Sequence, residues 1–441
     1  MMIRRFKQFV TDNCLFNKNH SLLATVSGGV DSCVMLHLLA LCHFKVTIAH
    51  CNFKLRGADS DGDEQFVRHL AAKYNMPFYS ISFDTHNYAT EHKLSIEMAA
   101  RELRYNWFNQ LVGELKIDFI LTAHHLNDNI ETMLLNLCRG TGINGITGIA
   151  TINGNIVRPL LFATRAEIEE YAMLNKLEFR TDITNLSNEY QRNIIRHQIV
   201  PVLKQINPSF EERMGKNLKQ INQAANIYNW YVTNAKTAIT KQCGEQFIID
   251  SKALLKQPFS TTILFECINN FGFNTTQAEA IMPIIGQKSG NVFFSATHKL
   301  LIDRNQIIIK PNNPKACVNM VCNNLSSLSQ LGFSVQIVPI ANFKLNKNKN
   351  VACFDFDKLT FPITIRNWQH GDYFFPLGMN RAKKLSDFFI DNKINLFDKE
   401  ETLVLVSENK IAWVVGFRPD NRFKVDSTTK QVIIITTDEK K

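Results

Sequence analysis

The chain has 441 residues, too many for one ordinary domain, so two or three are expected. Its 45% hydrophobic and 20% charged residues suit a globular protein, and no run of about 18 apolar residues offers a membrane span. The formal net charge of +10 suits a nucleic-acid or polyphosphate partner without establishing one. The basic start MMIRRFKQFV lacks a long apolar segment and a small-residue cleavage site, so no signal peptide is expected. Ten cysteines are scattered without any C-x-x-C, Cys317 and Cys322 being the closest pair, so free thiols in a reducing cytoplasm are expected.

From residue 20 to about 125, short β-rich runs alternate with helical patterns. The runs predict strands at 22–26, 46–50, 78–83 and 119–122, and helices at 32–42, 61–74, 96–112 and 128–138. Such alternation argues for a parallel sheet with helices on both faces. Residues 210–240 read as helix, followed by a mixed region to about 300. Residues 311–350 are rich in Asn, Ser and Lys and read as loop or linker around a few short strands. From Cys353 onward β-rich runs return ("FPITIRNW", "TLVLVS", "IAWVVGF", "QVIIITT"), with one helix expected at 384–390. No internal repeat is visible. The fold class expected is α/β: a parallel-sheet domain over 1–209, a mainly helical middle domain with linker over 210–350, and a small α+β domain over 351–441.

The stretch TVSGGVDSCVML, residues 25–36, lies where the first strand becomes the first of the four helices. A strand-to-helix turn leaves free N–H groups at a helix N-terminus, where an anion can bind. Gly28 and Gly29 let a ligand approach the backbone, Val30 opens the helical pattern, and Ser27 and Ser32 offer hydroxyls. Asp31 would repel a phosphate, and makes sense if Mg²⁺ lies between them or if it caps the helix. A plain tight turn is the simpler alternative. Residues 140–145, GTGING, match G-x-G-x-x-G but follow a helix, so a helix C-cap and loop is preferred. No G-x-x-x-x-G-K-[ST] occurs, which disfavours γ-phosphate transfer.

Other polar stripes leave alternatives open. His124, Asp128 and Glu131 lie at i, i+4 and i+7, so the two acids are neighbours on one helical face, ordinarily a solvated one. His125 reads as packed at a strand end. Glu97 and Arg101 are an i,i+4 pair, with Arg104 on the same stripe and Arg139 at a later helix end. Asn52 and Arg56 follow the second strand, where an α/β sheet places its ligand crevice. Asp182, Thr184 and Asn185 look like caps and turn residues, while Arg192, Asn193 and Arg196 recur at helical spacing and face either solvent or a site. Near the C-terminus Arg381, Lys383, Lys384, Lys393, Arg418, Arg422 and Lys424 alternate with Tyr373, Phe374, Phe388, Phe389 and Phe423. Basic residues among aromatics suit RNA contacts, although Phe388 and Phe389 read as core.

SGGVDS resembles the PP-loop of the N-type ATP pyrophosphatases, which cleave ATP between its α- and β-phosphates, adenylate a carbonyl oxygen and let a nucleophile displace AMP. Three further stretches narrow this: "LTAHHLNDNIETMLLNLCRGTGINGITGI" (121–149), "RTDITNLSNEYQRNIIRHQIVP" (180–201), and "GDYFFPLGMNRAKKLSDFFIDNKI" (371–394) with "VGFRPDNRFKV" (415–425). Together they resemble the tRNA(Ile)-lysidine synthase family. The resemblance implies ATP with Mg²⁺, free L-lysine and an isoleucine tRNA with a CAU anticodon. Its wobble cytidine is adenylated at the C2 oxygen and attacked there by the lysine ε-amine. Codon reading then changes from AUG to AUA, and charging from Met to Ile.

The same resemblance assigns ATP binding to Ser27, Gly28, Gly29, Val30, Asp31 and Ser32, and Asp31 stays open as a Mg²⁺ ligand or a helix cap. It gives catalytic or lysine-binding roles to Asp128, Glu131 and Arg101, and substrate contacts to His124, Asn52, Arg56, Arg104, Arg139, Arg192 and Arg196. It gives tRNA binding to Lys383, Lys384, Arg418 and Arg422. It implies a cytoplasmic protein without membrane attachment and leaves room for a homodimer. Two other enzymes of the same turn remain rivals. Thiolation would need a sulfur-carrying cysteine, Cys51 or Cys138, or a cluster, and glutamine-dependent amidation would need a nucleophilic cysteine elbow, which is not seen. A non-catalytic RNA-binding protein is a third.

Overall fold

A computed structural model describes every residue except Arg56, 181–188, Lys288, 313–317, Lys347 and 438–441. The chain divides into two units, Met1–Asn229 and Trp230–Lys441. The sequence-based readings of Arg56, Asp182, Thr184 and Asn185 lie outside the described residues.

The first unit begins with helix α1 (Met2–Asp12), then alternates strands with helices: β1 (Ser21–Thr25), α2 (Val30–Leu41), β2 (Lys45–Asn52), α3 (Ala58–Lys73), β3 (Phe78–Ser82), α4 (Thr85–His92), α5 (Ile96–Leu115), β4 (Phe119–Leu121) and α6 (Leu126–Arg139). A short α7 (Ile143–Ile146), the hairpin β5 (Ile152–Asn153) and β6 (Ile156–Val157), and helices α8 (Arg165–Leu174), α9 (Glu189–Ile194), α10 (Val200–Ile206) and α11 (Phe210–Ile239) follow. The strands lie in the order β3-β2-β1-β4-β6-β5. All pairings are parallel except the β5–β6 hairpin.

The parallel core explains the unbroken apolar runs. Leu22, Leu23 and Ala24 of β1 are 0% exposed because helices cover both faces, so no polar residue alternates. Chain order places a switch point in the middle of this sheet. The chain leaves β1 toward β2 and β3 on one side and returns to β4 on the other. A crevice therefore opens beyond the carboxyl ends of β1 and β4. SGGVDS, after β1, and HHLNDNIE, after β4, emerge there.

In the second unit the mixed region becomes a five-stranded antiparallel sheet, Thr240–Cys243, Gln246–Asp250, Gln306–Pro311, His298–Asp303 and Asn291–Phe294 in spatial order. The helices Ser251–Leu255, Ser260–Ile268 and Thr275–Ile281 accompany it. The last part holds a five-stranded sheet, in which Ile363–Asn367, Leu403–Ser407 and Lys410–Val414 are neighbours, and a three-stranded one centred on Gln431–Thr437. Two strands of the 311–350 region belong to these sheets: Asn319–Cys322 pairs with Ile363–Asn367, and Phe333–Pro339 with Gln431–Thr437. Buried Cys322, Leu328 and Phe333 hold that region against the core around Trp413. The helix expected at 384–390 is Leu385–Asp391. Among the described residues no helix is long and apolar enough to cross a membrane.

Candidate active site at the switch point of the sheet

The turn after β1 is pinned by both neighbouring strands. Val26 N–H donates to the Ala49 carbonyl (3.0 Å), and Thr25 Oγ1 donates to the Leu121 carbonyl (2.9 Å). Gly28 has φ +97°, a conformation that L side chains rarely adopt. Gly29 is the N-cap of α2, and the first helical bond runs from Cys33 N–H to its carbonyl (3.0 Å). The N–H groups of Val30, Asp31 and Ser32 therefore precede the helical ladder. Ser32 Oγ donates to the Gly29 carbonyl (2.8 Å) and lies 3.3 Å from Ser27 Oγ.

A cavity of about 620 Å³ opens over this turn, with Ser27, Asp31, His125, Glu131, Arg165 and Arg196 among its walls. Asp31 does not cap the helix. Its Oδ2 accepts a hydrogen bond from Arg165 Nη1 (2.5 Å), while its Oδ1 is buried without a hydrogen-bond partner, 3.9 Å from His125 Nε2. Burial pushes the Asp31 pKa up, and the charges of His125 and Arg165 work against that rise. Among the described residues no cluster of three or more His, Cys, Asp or Glu could hold a metal ion alone.

The opposite wall comes from α6. Asp128 Oδ2 accepts the His125 N–H (3.0 Å), which fixes the start of the helix. Glu131 is not on a solvated face: its side chain is 3% exposed, and both its oxygens accept from Arg196, Nε at 2.7 Å and Nη2 at 3.0 Å. Arg196 Nη2 also lies 3.6 Å from Asp128 Oδ1. Arg192 Nη2 donates to Thr132 Oγ1 (2.8 Å). Arg192 and Arg196 of the 180–201 stretch thus face α6, from a segment whose Ile195–Ile199 turn is a π-helix, a widening often found at functional sites. His124 pairs through Nδ1 with Thr122 Oγ1 (2.9 Å). Burial lowers its pKa to about 4, with Asp128 opposing and Arg158 and Arg192 assisting, so the ring is neutral at pH 7. His125 is buried as expected, yet its Nε2 reaches within 3.5 Å of Asp128 Oδ2.

Several expected residues lie outside this cavity. Arg101 stacks over Tyr105 (5.0 Å) and Arg104 over Phe53 (5.1 Å). Arg101 and Arg104 are both exposed, and among the described residues no ion pair joins Glu97 to Arg101. Arg139 is exposed and donates to Gln191 Oε1 (2.6 Å). Asn52 is 2% exposed and held by Asp61 (2.8 Å) and Glu64 (3.3 Å). In the second unit Lys384 and Arg418 are exposed, Lys383 pairs with Asp391, and Arg422 binds Asp420 (2.8 Å) while stacking on Phe375 (4.5 Å). Phe388 and Phe389 are core, as expected, and the stacking reading is corrected for Phe374 and Phe423, which are at most 4% exposed, leaving Tyr373 at 54%.

Three arginines escaped the sequence reading. Arg165, first in α8, meets Asp31 across 134 positions of sequence, and its N–H donates to Asn127 Oδ1 (2.9 Å). Arg180 donates its N–H to the Gly28 carbonyl (2.9 Å), and its guanidinium binds Asp63 (2.5 Å). A Cβ on Gly62 would sit 2.8 Å from that guanidinium, so a glycine inside an acidic helix was an available signal. Arg158, 7% exposed, was visible as a cation inside the apolar run IVRPLL.

A parallel sheet whose switch point carries this turn and cavity defines an ATP-using PP-loop enzyme, and residues 1–203 match the PP-loop domain family. Residues 242–312 match the TilS substrate binding domain and 363–435 the TilS substrate C-terminal domain. The chain is 41% identical over 434 residues to the tRNA(Ile)-lysidine synthase of Bacteroides thetaiotaomicron, covering 98% of this chain and 99% of that one. It is 39% identical over 438 residues to that of Parabacteroides distasonis, with the same coverage. Against that of Porphyromonas gingivalis it is 35% identical over 456 residues, covering 99% and 98%. The chain belongs to the tRNA(Ile)-lysidine synthase family, and as a ligase of that family it uses ATP to form lysidine on tRNA(Ile).

Proposed function

We propose that the cavity at the switch point runs both steps of the ligation. ATP lays its phosphates on the N–H groups of the turn over Ser27, Gly28, Gly29, Val30, Asp31 and Ser32. Mg²⁺ is commonly held by one or two carboxylates and the substrate's own phosphates, and Asp31 Oδ1, buried and without a donor, fits as the protein ligand. When bound, the ion would neutralise phosphate charge. The C2 oxygen of the wobble cytidine attacks the α-phosphorus, and the bond to the β-phosphate breaks to release pyrophosphate. The ε-amine of free L-lysine then bonds to C2 and loses a proton, and the C2–O bond breaks so that AMP leaves with the oxygen.

Asp128 and Glu131 are the anionic pair for the incoming ammonium. Arg196 pairs with both, and the lysine ammonium competes with it for them. The neutral imidazole of His124 stands beside Asp128 as an acceptor for the lost proton. Arg101, Arg104 and Arg139, exposed outside the cavity, meet the tRNA around the flipped base, and Asn52 holds the loop after β2. The tRNA is the isoleucine species with a CAU anticodon. Residues 1–209 act as the catalytic domain, while 210–350 and 351–441 bind tRNA, the latter through Lys383, Lys384, Arg418 and Arg422. A cytoplasmic setting and a homodimer complete this reading, and sedimentation measures the latter.

The observation carrying the reading is that the phosphate turn and Glu131 open on one cavity. Purified protein, ATP-Mg²⁺ and labelled lysine are offered two transcripts, the isoleucine and methionine tRNAs sharing a CAU anticodon. Label in the first and not the second is expected. No label in either, with ATP still cleaved to AMP, overturns the lysine assignment.

A further inference from the structure

Beyond the carboxyl ends of β4 and β6 lie two arginines, Arg158 and Arg192, that form no ion pair among the described residues. Arg158 follows β6 directly and is 7% exposed. Among the described residues its side chain makes one hydrogen bond, from Nη1 to the Ala150 carbonyl (2.6 Å), and its Nε is buried with no partner. Arg192 repeats the pattern: Nη2 reaches Thr132 Oγ1, and its Nε is buried with no partner. The charge of Arg101 is felt at Arg158 and adds repulsion; Tyr105 is the other titratable group there. His124 lies in the field of both Arg158 and Arg192, and in that of Asp128.

A buried guanidinium without a counter-ion is costly, and the half-buried Arg192 in the field of the same imidazole adds to that cost. An anion held by both would offset that cost and take up donors that have no partner. Charges of both signs thus surround the neutral ring of His124: Arg158, beside Thr122 where β6 pairs with β4, Arg192 on Thr132, and Asp128 with Glu131 on α6. An amino acid whose side chain ends in an ammonium has that charge pattern, with a carboxylate at one end and a cation at the other.

We propose that Arg158, with Arg192, seats the α-carboxylate of the amino-acid substrate, while Asp128 and Glu131 take its ε-ammonium; this rests on the lysine reading above. The burial of Arg158 selects a small carboxylate over a tRNA phosphodiester, which the more accessible Arg101 and Arg104 are better placed to meet.

The test compares L-lysine with cadaverine, the same diamine chain without the carboxylate, in the wild type and in Arg158→Met. For lysine the KM should rise roughly 10- to 100-fold, as expected when a charge-assisted hydrogen bond is removed, with kcat nearly unchanged. KM for cadaverine, tRNA and ATP should not move. The melting temperature should hold or rise, since an uncompensated charge has gone. An unchanged KM for lysine overturns the proposal. So does a raised KM for tRNA with a shallower salt dependence, which would make Arg158 a phosphate ligand. If Arg158→Met fails to fold, Arg192→Gln is read for the same split between lysine and cadaverine. Failure of the lysine reading itself looks different: the wild type would make no product from lysine at all.

Discussion

Gly28 and Asp31 make separable demands on the phosphate turn. Gly28→Ala must hold φ near +97° with a Cβ 3.4 Å from Phe66, which costs about 1–3 kcal/mol in urea unfolding. Because relief of that strain would move the turn, the KM for ATP should rise as well. Asp31→Asn keeps the shape and removes the charge. Its folded-state burial opposes that charge, so stability should hold or improve while kcat/KM for ATP falls on the order of a hundredfold. A thermal scan beside ATP kinetics separates the two residues: one substitution weakens fold and function together, the other weakens function alone. His124 adds a pH dependence. Its pKa falls from the ordinary 6.5 to about 4 on folding, so between those values the unfolded chain binds a proton that the folded chain refuses. Stability from this residue is full above pH 6.5 and is lost as pH falls toward 4. The melting temperature of wild type should drop more between about pH 7 and 5 than that of His124→Asn, and equal drops would remove His124 from the account.

At the scale of elements, α6 and the π-helical turn of Ile195–Ile199 are joined by one bidentate ion pair, Glu131 with Arg196. Arg196→Met leaves a carboxylate that is 3% exposed without that partner. The loss expected is about 2 kcal/mol, below the range for fully buried pairs because Arg196 itself is 40% exposed. Glu131→Met combined with Arg196→Met should recover most of that stability and none of the lysidine formation. Additive destabilisation in a double-mutant cycle would mean that the pair does not couple the two elements.

This pair also shows what a sequence conceals. The strands of the parallel sheet were legible because their burial on both faces leaves unbroken apolar runs. The phosphate turn was legible because strand, glycines and helix start are consecutive. Asp128 and Glu131 could be placed on one helical face by spacing alone, and Arg192 with Arg196 on another. What faced those stripes could not be read, because spacing does not say which face meets which element. Arg165 reaches Asp31 over 134 positions, and no local pattern encodes such a meeting. The π-helical turn has no composition of its own. The C-terminal aromatics misled because core and stacking residues share one alphabet, and burial alone separates Tyr373 from Phe374.

For the whole molecule, the problem is selection. One cytosine carries too little information to choose a tRNA, so interactions elsewhere must supply both affinity and choice. A chain of net charge +10 supplies affinity through phosphate neutralisation, which falls steeply with salt. The structure separates which C-terminal cations are free to do this. Arg422 is committed to Asp420, which is 0% exposed and would lose a charged partner, so Arg422→Ala should lower the melting temperature. Lys384 and Arg418 are exposed and make no ion pair among the described residues. Replacing both with Ala should leave the melting temperature and kcat at saturating tRNA unchanged. It should raise the KM for tRNA and flatten the plot of log affinity against log salt by roughly 0.9 for each phosphate no longer neutralised. Filter binding over a salt series measures that slope. A slope equal to the wild type's would show that this surface meets no phosphate, and two cations of the first unit, Arg101 and Arg104, would be next to vary.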